Sequence, residues 1–169
     1  MKNLAFVLVS LAFTFSVWGC RNDAHDEEHA VVSAGNLSIW NVYAPEPVTG
    51  DVGSVYFSIR NDGESADEIV TVSADVAGHA TLHDQRGESG MQAMVEVTRV
   101  PVPAGGTAVL EPGGLHMMLT EMKRAYREGD SIRVSVSFAT GITLSFFVPV
   151  VSYDAVARRT DNPHEGRHP

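Results

Sequence analysis

Two histidines and two methionines carry the chemical interest of this chain: His83, Met94, His116 and Met118. His116 and Met118 stand two apart in a run that reads as a strand, so their side chains share one face. Met117 and Leu119 then turn to the opposite face, where a core would take them. Gly113 and Gly114 just upstream allow the chain a close approach to the His116 face. His83 and Met94 flank the glycine-containing stretch 87–90, a loop able to fold both ends towards one edge of a sheet. Two imidazoles and two thioethers form a soft, uncharged donor set. Thioether sulfur prefers Cu(I), zinc prefers thiolate, imidazole and carboxylate, and calcium and magnesium want oxygen. The single cysteine, Cys20, lies just after an N-terminal apolar run. That excludes a Cys-rich zinc site, an internal disulfide and a blue-copper centre, which needs a thiolate beside two imidazoles. A site lacking thiolate also grips Cu(I) less tightly, as suits a carrier that must release its metal.

The four residues fall at the spacing H-x10-M-x21-H-x-M. With this His and Met content, chance places that pattern in such a chain roughly three times in ten thousand. The spacing resembles that of the periplasmic copper-binding PCuAC family of copper chaperones, without a gap. Gly53-Ser54-Val55-Tyr56, Ile59-Arg60-Asn61, Pro112-Gly113-Gly114 and Glu128-Gly129-Asp130 also look like the family, so the resemblance covers residues 37–150. It implies a cupredoxin-like Greek-key β-sandwich and one Cu(I) held by His83, Met94, His116 and Met118. It also implies delivery of that ion to the CuA centre of cytochrome c oxidase.

The frame that must position these residues is ordinary globular material: 169 residues, 44% hydrophobic and 20% charged. One domain with tails fits that length. Twelve Lys and Arg against 21 Asp and Glu give a net charge of −9, the wrong sign for a nucleic-acid binder. Residues 1–19 read as an export signal, with a basic start at Lys2 and an apolar run over 4–17 that is too short to span a bilayer. Val17-Trp18-Gly19-Cys20 resembles the lipobox of bacterial lipoproteins, which implies lipidation at Cys20 and a site in the periplasm or on the cell-envelope exterior. The membrane is then met only through that anchor. Residues 20–35 read as an acidic tether, 36–152 as the folded domain and 153–169 as a disordered tail.

Within the domain, alternating apolar and polar residues predict strands at 37–43, 55–60, 68–72, 81–83, 94–100, 107–110, 115–119, 131–138 and 142–148. In 131–138 the alternation sets Ile132, Val134, Val136 and Phe138 on one face. Glycines and prolines punctuate the runs. Only 121–128 suggests a helix. Many short strands with such turns predict an all-β sandwich or barrel.

Other residues have two readings. His79, four before His83, is a loop residue or a neighbour of the site; Met91 is a loop thioether near its mouth; Met122 packs in the core. His25, His29, His164 and His168 form a weak Cu(II) site with nearby carboxylates, or are solvated side chains in disordered segments. No G-x-S-x-G, H-E-x-x-H, P-loop or dinucleotide fingerprint is present, so a non-enzymatic Cu(I) metallochaperone is expected. A copper buffer without a dedicated acceptor and a β-sandwich interaction module are the alternatives.

Overall fold

The structure is a computed structural model that describes residues 30–88 and 91–161, with the side chains of 86–88, 91, 92 and 161 outside the description. Its elements are β1 (Val32–Ala34), β2 (Leu37–Pro45), β3 (Gly53–Asn61), β4 (Asp67–Ala74), β5 (Ala77–Glu88), β6 (Met91–Val97), β7 (Val100–Val102), β8 (Thr107–Leu110), β9 (His116–Met122), β10 (Ser131–Phe138), β11 (Thr143–Val151) and α1 (Tyr153–Asp161). The strands follow one hydrogen-bonded path, β6-β5-β9-β3-β2-β11-β10-β4-β7, with β1 beside β2 and β8 beside β3. β11 meets β2 in parallel through Val150 and Val151; the other pairings are antiparallel. The path curls until β4 lies against β5, and the two layers close on one core. This is the all-β sandwich that the alternation predicts.

The β-branched run 131–138 shows how sequence makes the layers. Ile132, Val134, Val136 and Phe138 are buried and face Val148, Phe146 and Leu144 of β11. On the outer side Ser135 and Ser145 share a 2.7 Å hydrogen bond, and Arg133 lies 5.0 Å over the Phe147 ring. Completely burying a side chain such as Ile132 contributes about 1.5–3 kcal/mol. β3 sends Val55, Phe57 and Ile59 into the core, and β9 sends Met117 and Leu119.

Several expectations need correction. The tether is not wholly solvated: Val32–Ala34 pairs with β2 as a short hairpin that turns through Gly35 at φ 58°. Residues 153–161 are not a disordered tail but α1, whose Arg159 lies 4.9 Å over the Tyr43 ring and donates to Asn41 Oδ1 at 3.2 Å. Residues 121–128 hold no helix; they finish β9 and continue as irregular chain into a turn at 128–129, and there Tyr126 buries its ring. The alternation of β2 breaks at Asn41, whose φ is 52°. A bulge there shifts the register, so the core residues are Leu37 and Ile39 before it and Val42 and Ala44 after it. Asn accepts the left-handed region more readily than other non-glycine residues. Cys20, His25, His29, His164 and His168 lie outside the described residues.

Candidate metal centre

β5 runs between β9 and β6, and its register decides what meets on its outer face. His83 lies directly opposite His116 on β9 and opposite Glu96 on β6. Thr81 lies opposite Met118, and Gln85 opposite Met94. Side chains alternate with period two, so His83, His116, Met94 and Met118 all project from one face, with the two methionines on diagonals from His83. The imidazole rings stack with centroids 5.8 Å apart and planes 28° from parallel. All four expected residues therefore share one patch of sheet, contributed by three neighbouring strands.

Local chemistry sets each ring. Glu111-Pro112-Gly113-Gly114 forms a turn in which Gly114 N–H donates to Glu111 O at 3.1 Å and Gly113 takes φ 80°. Proline followed by a positive-φ glycine is the type II pattern. The turn aims the Gly114 carbonyl at His116, whose Nδ1 donates to it at 2.9 Å. A carbonyl only accepts, so the proton is on Nδ1 and the lone pair on Nε2. His83 Nε2 lies 2.9 Å from Thr81 Oγ1, while His83 Nδ1 is buried with no hydrogen-bond partner. Such an orphaned nitrogen is costly unless something coordinates it.

Exposure grades across the patch. His116 is 6% exposed, His83 and Met118 are half-buried, and Met94 is 55% exposed on the edge strand. Among the described residues no three of His, Cys, Asp or Glu converge as a metal cluster. Two thioethers share the face of the two imidazoles, and a donor set of that kind suits Cu(I) over zinc or calcium.

The remaining candidates fall to either side. His79 belongs to β5 and makes a 3.3 Å contact with Glu121 in solvent. Met122 is half-buried against the core. Met91 opens β6 opposite Glu88; its side chain lies outside the described residues. Thr81 and Glu96 were missed by the sequence reading. The signal for Thr81 was its position two residues before His83, on the same strand face; Glu96 needs the β5–β6 register.

An aromatic flank adjoins the donors. Ser54 lies opposite Met118, and Tyr56, two residues on, shares that face. Tyr56 packs against Tyr43 with centroids 5.2 Å apart. Burial, aided by the neighbouring Tyr56, pushes the Tyr43 hydroxyl up to about 12, although Arg159 opposes the shift. Burial also raises Tyr56, with a Ser54 hydrogen bond acting against it.

A family model described as "Putative lipoprotein LpqE-like" matches residues 37–150. The chain belongs to the LpqE-like family. This LpqE-like chain is 30% identical over 101 residues to "Putative lipoprotein Lxx21020" of Leifsonia xyli subsp. xyli, covering 59% of this chain and 61% of that protein. It is 27% identical over 86 residues to "Uncharacterized protein RP573" of Rickettsia prowazekii, covering 50% and 48%. It thus spans about half to three fifths of the length of these relatives. Among solved structures, the "Apo PCuAC domain from PmoF1" superposes with a TM-score of 0.62 at 22% identity, over 73% of this chain and 99% of that one. The "Copper-bound PCuAC domain from PmoF2" gives 0.62 at 15% identity, over 73% and 98%. CuI-DR1885 from Deinococcus radiodurans gives 0.55 at 23%, over 76% and 85%. At these identities the likeness is one of fold: the LpqE-like chain has the cupredoxin-like architecture of PCuAC domains, as the sequence resemblance implied.

Proposed function

We propose that this protein is a copper carrier of the cell envelope that binds one Cu(I) through His83, Met94, His116 and Met118 and passes it on by ligand exchange. The supporting observation is the strand register, which sets two stacked imidazoles and two thioethers on a single face. Copper is cargo here, so the protein supplies a neutral cradle and performs no bond-breaking chemistry. A monovalent soft ion needs no charged donor, and an exposed thioether gives an incoming ligand a point of attack. Structures of the same fold whose names record bound copper support the reading. Kinship with proteins named as lipoproteins supports an envelope location, with Cys20 as the lipid-bearing residue. The acceptor in this reading is the CuA site of a cytochrome c oxidase subunit.

Cu(I) titration against a chromophoric chelator tests the binding step. The chain takes up one equivalent, and a Met94→Ala, Met118→Ala double variant loses more than about tenfold in affinity. Equal, weak uptake by both proteins overturns the metal reading and leaves an interaction module. Transfer is tested by mixing the loaded protein with an apo CuA domain; copper retained by the donor favours a buffer.

A further inference from the structure

The two imidazoles are held differently, and the difference has a chemical consequence. His116 has its proton fixed on Nδ1 by the Gly114 carbonyl and offers Nε2. His83 has its Nε2 engaged by Thr81 Oγ1 at 2.9 Å and its Nδ1 buried without a partner. A neutral imidazole carries one N–H and one lone pair. Were the proton on Nδ1, a buried donor would have nothing to bond. With the proton on Nε2, it donates to the Thr81 hydroxyl, and the buried atom is a lone pair that a cation can claim.

We infer that Thr81 is a positioning residue which holds the His83 proton on Nε2 and so presents Nδ1 to the metal, making the two histidines ligate through different ring nitrogens. The inference rests on the Cu(I) reading above and specifies how that site is prepared. Thr81 is suited to the task. It stands two residues before His83 on the same strand face and opposite Met118, and its β-branched side chain has a restricted χ1 that fixes the hydroxyl. Its neutral hydroxyl oxygen is a poor donor for Cu(I), so it orients a ligand without competing for the ion. Outer partners of a metal-binding imidazole fix its tautomer and ring orientation, and their loss costs ten- to a hundredfold in affinity.

The test uses Ag(I), a closed-shell analogue of Cu(I) whose nuclei couple to nitrogen, on the 15N-labelled chain, with Cu(I) affinity measured in parallel by chelator competition. Wild type is expected to show silver–nitrogen coupling at His83 Nδ1 and His116 Nε2. Thr81→Val, which keeps shape and loses the hydroxyl, is expected to bind Cu(I) ten- to a hundredfold more weakly, with the His83 ring signals of the apo protein shifted towards a tautomer mixture. Thr81→Ser is expected to restore affinity to within about threefold, and thermal melting establishes that both variants are folded. Coupling at His83 Nε2, or unchanged affinity in Thr81→Val, overturns the inference while leaving the copper reading intact. Failure of wild type to take up Ag(I) or Cu(I) overturns the copper reading itself, and the inference falls with it.

Discussion

Met94 is the residue on which a copper-binding site here is most vulnerable. Its thioether is 55% exposed, and oxidation to the sulfoxide turns a soft sulfur donor into a polar group. Brief peroxide treatment of the apo protein is therefore expected to oxidise Met94 before the buried Met117, and to lower Cu(I) uptake to that of Met94→Ala. Protein loaded beforehand with Ag(I), a thiophilic stand-in for Cu(I) that does not reduce peroxide, is expected to resist, which peptide mass spectrometry resolves. At this scale the sequence was informative about residue type and face. His116 and Met118 share a face because they are two apart, and Met117 is buried because it lies between them. The partner of an imidazole nitrogen is a different matter. The hydrogen bonds to Thr81 and Gly114 depend on ring rotation and turn geometry, which no spacing rule records.

At the scale of elements, the 111–114 turn and α1 make separate demands. Gly113 sits at φ 80°, so Gly113→Ala is expected to cost roughly 1–2 kcal/mol, seen as a lower melting temperature, and to loosen the carbonyl that holds His116. Gly53→Ala has another cause: a Cβ there would overlap the Tyr126 hydroxyl. Overpacking of this kind costs about 1–3 kcal/mol, and a companion Tyr126→Phe change should recover much of it. β10 and β11 were legible because their apolar alternation runs for eight or nine residues. β1, with three residues, is too short to show a period. α1 was missed for lack of an apolar stripe: Asp154 in its first turn and Arg158 and Arg159 in its last favour the helix dipole, and it is anchored by a cation over Tyr43 rather than by a greasy face. The Asn41 bulge escaped notice because one extra residue in a strand leaves no mark on composition.

For the molecule as a whole, buried phenols set an alkaline limit. Tyr43 and Tyr126 both move from 10.0 to about 12, mainly through burial. The folded chain therefore binds more protons than the unfolded one between pH 10 and 12, and stability falls as pH rises through that window. The contribution is fully present below pH 10 and lost once the folded phenols ionise. Denaturant midpoints measured from pH 8 to 12 are expected to stay level and then drop, and to flatten in Tyr126→Phe. That variant is expected to match or exceed wild type at neutral pH, because the hydroxyl it removes is buried without a partner. One further consequence follows from strand order. β6 closes one end of the hydrogen-bonded path and is zipped to β5 along a single border, whereas β9 is stitched on both sides, to β5 and β3. A bound ion would thus be let go from the rim inward: the Met94 sulfur swings off with its selvedge, and the two rings, rooted in the weave, surrender last.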